Sequence, residues 1–406
     1  MKQTGTPTSP RLRAPSLVSS ALERLGRGVK YGDLIIETPS GERLEFAGTE
    51  HLLGTAVWKL NNWKPLWALA TRGAMGLAES YLEGDWESPD LAEFLYFGSV
   101  NERSFGESAN GIATLRLGDR LRHWLRSNSP GRARRNIAYH YDLGNDFYAG
   151  WLDRSMTYSS ALFEGDNDSL ELAQQRKYAR IADTVELDAG AHVLEIGCGW
   201  GGFMEFAAVE RGARITGVSI SGEQCDYARA RFARGAVTDQ AAVEFCDYRR
   251  LEGQYKHIVS IEMFEAVGEA YWPTYAAKLE SLLAPGGRVA LQTITIDQNR
   301  FEAYRRSPDF IQRYVFPGGM LPTKAVLEST LSVAGLRITD CLDFGLDYAR
   351  TLVEWRKRFD VSWPAIVKLG FDERFRRLWH YYLAYCEAGF RSNAVDVVQV
   401  GIERAR

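Results

Sequence analysis

Val193-Leu-Glu-Ile-Gly-Cys-Gly-Trp-Gly201 reads as a buried β-strand running into a glycine-rich turn that opens a helix. Gly197, Gly199 and Gly201 let the backbone turn tightly and approach a bound nucleoside with no Cβ in the way. Glu195 stands two residues before the first glycine, placed to hold the amino group of a zwitterionic ligand. Gly197, Gly199 and Gly202 also satisfy the dinucleotide pattern G-x-G-x-x-G, which alone is a weak signal. A dinucleotide site would want an acid at the end of the next strand, Ala213–Val218, about 20 residues on. That strand runs instead into Ser219-Ile-Ser-Gly-Glu-Gln224, and its acid, Glu223, arrives late and inside a helical pattern. The balance favours S-adenosylmethionine (SAM), and hence methyl transfer, over a dinucleotide.

Outward from this stretch, strand patterns at Val193–Ile196, Ile215–Val218, Val243–Phe245, Ile258–Ile261, Arg288–Thr295 and Leu336–Phe344 alternate with helical ones at Ser169–Thr184, Gly222–Arg234 and Tyr271–Leu283. Such alternation predicts an α/β fold, a doubly wound Rossmann-like domain over residues 136–406. Residues 350–395 add a helical stretch rich in Arg, Trp and Tyr. Residues 1–20 read as a disordered tail. Residues 21–115 read as a smaller, mainly helical domain with one strand pair, Asp33–Glu37 and Arg43–Phe46. That domain is dense in aromatics from Trp58 to Phe97, expected mostly to pack its core, with a lipid-facing surface as the functional alternative. Residues 116–135 form a basic linker with seven arginines against one acid, Asp119; it is a solvated tether or an attractor of anionic headgroups.

The 406 residues carry a net charge of −3, which predicts no general affinity for nucleic acid. Five scattered cysteines without a C-x-x-C pair point to reduced thiols in a cytoplasmic setting and argue against zinc. No apolar run approaches the roughly 18 residues of a membrane span, so any membrane association is expected to be peripheral.

Several runs in one consistent order resemble the cyclopropane fatty acid synthase family, which includes the mycolic acid cyclopropane synthases. They are Glu79–Trp86, His140-Tyr-Asp-Leu-Gly-Asn-Asp-Phe147, Met156-Thr-Tyr-Ser-Ser-Ala161, the glycine turn, Val218–Gln224, Met263-Phe-Glu-Ala-Val-Gly268, Tyr314–Pro322 and Phe344-Gly-Leu-Asp-Tyr348. The resemblance implies methyl transfer from SAM to the double bond of an unsaturated acyl chain in a membrane phospholipid. It also implies a homo-oligomer working at the inner face of the cell membrane. By motif position Tyr158, Ser159, the Gly197–Gly201 turn and Ser219 would contact SAM, with Gln224 at the ribose and Tyr248 beside the adenine. The family's reaction centre holds a bicarbonate ion on a Cys, a Glu, a His, a Tyr and a backbone amide. The matching positions are Ser160, Glu265, Gln292, Tyr348 and Ile294, so two of the five depart. Both replacements still hydrogen-bond, but neither supplies the same charge or basicity, which leaves bicarbonate in doubt.

The chemistry explains why these types matter. An alkene is a weak nucleophile and must be pressed against the sulfonium methyl in a dry pocket. Transfer leaves positive charge on the chain, which aromatic faces stabilise; Tyr139, Tyr141, Phe147, Tyr158, Phe264 and Tyr348 are the candidates. A base then takes a proton. Direct loss from the new methyl closes a ring; the other routes leave a methyl or methylene branch. Glu265 is the one carboxylate expected at the centre, with Glu262 a supporting partner or merely polar at a strand end.

Overall fold

The computed structural model describes residues 16–108 and 143–405. Two compact units divide the chain, Met1–Leu115 and Arg116–Arg406. The basic run 116–135, Tyr139 and the His140–Asp142 part of its motif lie outside the described residues.

In the first unit, β1 (Tyr31–Glu37), β2 (Arg43–Ala47), β3 (Glu50–Leu60) and β4 (Trp86–Glu87) form a sheet in the order β2-β1-β3-β4. Only β1 and β2 were expected. β3 escapes because it pairs parallel with β1 and antiparallel with β4, contacts that no local pattern announces. Among the described residues, helical segments at Ser16–Arg27, Lys64–Leu82 (kinked at Gly73), Leu91–Val100 and Glu102–Ser108 accompany the sheet. The first begins at Ser16, so the expected tail is too long; residues 16–20 are helical. The aromatics divide as their packing dictates. Trp58, Trp86, Phe94 and Phe97 are buried, with Trp86 set edge-on against Trp58 and its indole N–H donated to Leu77 O and Ser80 Oγ. Trp67 stays 63% exposed.

The second unit is a seven-stranded sheet flanked by helices. Its strands are β5 (His192–Ile196), β6 (Arg214–Ser219), β7 (Ala241–Phe245), β8 (Tyr255–Ile261), β9 (Leu283–Ile296), β10 (Leu336–Asp343) and β11 (Val395–Arg404), in the order β10-β11-β9-β8-β5-β6-β7. β7, β6, β5, β8 and β9 run parallel. β11, not anticipated, slots antiparallel between β9 and β10. Val193, Leu194, Ile196, Ile258 and Val259 have no exposed surface, as strands covered on both faces require. Strand order reverses between β5 and β8, and in such sheets ligands bind in the crevice beyond the strand ends at that reversal. No helix among the described residues is long and apolar enough to cross a membrane.

Candidate active site

The crevice is built from what leaves the carboxyl ends of β5, β6, β8 and β9. β5 ends in Glu195-Ile196, and the turn that follows takes positive φ at Gly197 (83°), Gly199 (51°) and Gly201 (79°). The N–H groups of Gly197 and Cys198 donate to Val218 O at 3.0 and 3.1 Å, tying the turn to β6. A Cβ on Gly201 would lie 2.9 Å from the Phe232 ring, so no side chain fits there without moving the core. Gly201→Ala is expected to cost about 2–4 kcal/mol from the left-handed backbone plus overpacking. Chemical denaturation checks this, and calorimetry with SAM should show weakened binding through the displaced turn.

Glu195 is 2% exposed and its Oε2 has no hydrogen-bond partner. Burial pushes this carboxyl up to about 8, against the pull of Lys177. A buried, unpartnered carboxylate oxygen beside a glycine turn is what a ligand ammonium group would satisfy. At the end of β6, Ser219 Oγ donates to Gln224 Oε1 at 2.9 Å, fixing the amide that opens the next helix. Tyr248 follows β7; its ring lies 5.1 Å from that of Tyr275, and its buried hydroxyl finds no partner. These residues fit SAM: an acid for its amino group, a Cβ-free turn, polar groups at the ribose position and an aromatic face.

Tyr158 and Ser159 are held by separate sets of contacts. The Tyr158 hydroxyl pairs with that of Tyr382 at 2.7 Å, and its ring packs against Trp151 and Trp355. Ser159 is held from the helix Leu170–Thr184: Gln174 Nε2 donates to its carbonyl and Lys177 Nζ to its hydroxyl, at 3.0 and 2.7 Å. Lys177 is fully buried. Desolvation pulls its ammonium down to about 7, while Glu262, Asp153 and Glu195 pull the other way. The sequence reading passed over it. The signal was its place in the stripe Ala173, Lys177, Ile181, where a lysine interrupts an otherwise buried helix face.

The reaction-centre residues assemble, but not around one point. Ser160 N–H and Gln292 Nε2 both donate to Glu262 Oε1 at 2.8 Å, and the Tyr348 hydroxyl donates to Glu262 Oε2 at 2.7 Å. Gln292 is fixed in turn by Gln399 Nε2, 2.9 Å from its Oε1. Glu265 stands apart, accepting from Ile294 N–H at 2.9 Å and from the Thr293 hydroxyl at 2.8 Å. The Ser160 hydroxyl turns to Ala161 O. One expectation is thereby corrected, and the bonds of two other expected residues are located. Glu265 is not the one carboxylate at the centre; Glu262 is the hub. Ser160 reaches the hub through its backbone rather than its hydroxyl. Ile294 N–H is given to Glu265.

Burial pushes Glu265 up to about 8, with the charge of Glu262 adding to the shift. Burial also raises Glu262, opposed by its bonds from Tyr348, Ser160 and Gln292. Burial thus acts on both carboxyls, opposed at Glu262 by three donors and at Glu265 by Ile294 N–H and the Thr293 hydroxyl. These residues do not fit bicarbonate. Of the five groups expected to clasp the ion, three serve Glu262, Ile294 serves Glu265, and Glu265 is itself an acid. An added anion beside these two carboxyls would face Lys177 as the only cation acting on Glu262 among the described residues.

Of the aromatic candidates, Tyr348 stacks on Phe390 at 4.4 Å and meets Trp355 at 6.0 Å, joining Tyr158 in one cluster. Phe147 and Phe264 are wholly buried against Trp379 and Trp272 respectively. Tyr141 is outside the described residues.

Comparison with known proteins shows what the chain is similar to. The family model for mycolic acid cyclopropane synthetase matches residues 128–400. Tuberculostearic acid methyltransferase UfaA1 of Mycobacterium tuberculosis is 44% identical over 357 residues, 82% of this chain and 80% of that protein. Cyclopropane-fatty-acyl-phospholipid synthase of Escherichia coli is 35% identical over 340 residues, 82% of this chain and 84% of that one. Among solved structures, mycolic acid cyclopropane synthase CmaA1 complexed with SAH and CTAB superposes with a TM-score of 0.63 at 28% identity, covering 67% of this chain and 98% of that one.

Proposed function

The chain belongs to the mycolic acid cyclopropane synthetase family, SAM-dependent methyltransferases of lipid acyl chains, and we propose that it methylates the double bond of an unsaturated acyl chain in a membrane phospholipid, leaving a methyl or methylene branch. When bound, SAM supplies the electrophilic methyl group. Glu195 orients its amino-acid end, Ser219 and Gln224 its ribose, and Tyr248 its adenine, while Tyr158 and Ser159 close the side facing the lipid. The aromatic faces of Tyr158 and Tyr348 stabilise the positive charge that transfer leaves on the chain.

The observation that carries the reading is that adjacent residues join the two halves of the site: buried Lys177 donates to Ser159 Oγ and is drawn by the charge of Glu195, while the N–H of Ser160 donates to Glu262. A site for a zwitterion and a centre able to handle a proton thus adjoin. Ser160 and Gln292 support the branched product, as does the likeness to a tuberculostearic acid methyltransferase. The ring is the second reading, favoured by Glu265, Tyr348 and Ile294 matching the family's positions and by the likeness to cyclopropane synthases. Exposed Trp67 and Leu52 in the first unit suit a peripheral site at the inner face of the cell membrane.

Purified protein with SAM and liposomes of mono-unsaturated phospholipid tests the proposal. Mass spectrometry of the released fatty acids should show gain of one CH₂ unit, with fragmentation locating a branch. Saturated liposomes should give none. Equal turnover on a water-soluble acceptor without lipid would contradict it.

A further inference from the structure

We propose that Glu262 is the proton acceptor of the reaction, a carboxylate built into the chain in the place where bicarbonate was expected. This rests on the methyl transfer proposed above. Ser160, Gln292 and Tyr348 stand at positions expected to bind the ion, and all three donate to Glu262. The backbone marks the position too. Glu262 sits just beyond β8 at φ +49°, a left-handed conformation that glycine adopts freely and glutamate does not. Strain of this kind persists where the surroundings over-determine a side chain, and three donors do so here.

The hydrogen bonds also select an atom. Each carboxylate oxygen offers about two lone-pair sites. Oε1 fills both with Ser160 N–H and Gln292 Nε2, whereas Oε2 accepts from Tyr348 alone among the described residues. Oε2 therefore keeps a lone pair for a proton. Glu265 takes one donor on each oxygen, Ile294 N–H and the Thr293 hydroxyl, so what sets Glu262 apart is that Ser160, Gln292 and Tyr348 all turn to it. Both acids retain some accessible surface, as groups lining a ligand crevice must.

After the alkene has taken a methyl group, one chain carbon is electron-deficient. Glu262 Oε2 accepts a proton, and the C–H electron pair forms the new bond. From an adjacent chain carbon, that pair becomes the π bond of a methyl-branched alkene. From the new methyl, it becomes the σ bond that closes a ring or, after a 1,2-hydride shift has moved the cation to the branch-point carbon, the π bond of a methylene branch. The carboxylate becomes a carboxylic acid and returns its proton to water before the next turnover. Lys177 opposes the effect of burial on Glu262, and the Tyr348 hydroxyl holds it in place.

Two variants and one omission test this. In buffer stripped of carbon dioxide, the wild-type protein should turn over as fast as with added bicarbonate. Glu262→Gln should fold, bind SAM as wild type does, and lose about 10²- to 10⁴-fold in kcat with KM little changed. Glu262→Gly relaxes the backbone and opens a carboxylate-sized space. Added bicarbonate or formate should raise its rate at least about tenfold, while neither ion rescues the glutamine variant. Should the glycine variant fail to fold, loss of the acidic limb of the kcat–pH profile in Glu262→Gln stands in its place. Near-wild-type turnover by Glu262→Gln, or wild-type dependence on bicarbonate, would overturn the assignment. Absence of product from the wild-type protein on every unsaturated lipid would instead overturn the methylation reading beneath it.

Discussion

Replacing Trp355 with alanine is expected to destabilise the second unit by about 3–5 kcal/mol, the range for emptying a buried indole site. Trp355 lies in the helix Gly345–Ile366 with no exposed surface, and its ring meets Trp151 at 5.6 Å, Tyr158 at 5.3 Å and Tyr348 at 6.0 Å. Truncation removes the common neighbour of two crevice residues, so activity should fall even below the unfolding temperature. Trp355→Phe makes the contrast. The indole N–H is buried without a partner, so phenylalanine keeps most of the ring contact and removes an unsatisfied donor. Its cost should be under about 2 kcal/mol. Urea unfolding of the three proteins checks both. An alanine variant within about 1 kcal/mol of wild type would contradict the packing account.

Glu195→Gln is expected to weaken SAM binding by about 10- to 100-fold, the worth of one charge-assisted hydrogen bond of about 1.5–3 kcal/mol. The pH dependence separates this from a packing effect. In the free protein Glu195 is held up at about 8 by burial. A bound ammonium group would pull it down, so binding near pH 7 releases a proton. Wild-type affinity should therefore rise with pH up to about 8, beyond which the ligand's own α-amino group, of pKa about 8, loses its charge. The glutamine variant has no such proton to release and should show a flat profile. The sign for stability runs the other way. A carboxyl raised from its ordinary value to about 8 stabilises the ligand-free fold at low pH, and that contribution is lost as pH rises through about 8. Titration calorimetry in two buffers of different ionisation enthalpy measures the proton count. No proton released by wild type would contradict the role given to Glu195.

The sequence disclosed the parallel strands because each is a short apolar run bounded by turn residues, and it disclosed the cofactor side because the glycine turn is local. β3 and β11 were missed for the opposite reason: β11 is defined by pairing with β9 and β10, strands far away in the chain. The reaction centre was legible as a set of residues but not as a geometry. Ser160, Gln292 and Tyr348 lie on three separate segments, and only the fold shows that they meet at Glu262 rather than at Glu265. The departures at 160 and 292 signalled that something had changed. The left-handed backbone at Glu262, which explains how a glutamate enters that position, has no signature in the letters. Lys177 shows the same limit, since a lysine in a helix is by default a surface residue.

The most direct test supplies SAM bearing a trideuterated methyl group to the protein with mono-unsaturated phospholipid liposomes, and locates the label by mass spectrometry. The account predicts deuterium on an acyl-chain carbon at the former double bond: three atoms if the proton leaves from the chain, two if it leaves from the new methyl. Label in the phospholipid headgroup, or in a soluble acceptor with the acyl chains unlabelled, would contradict it.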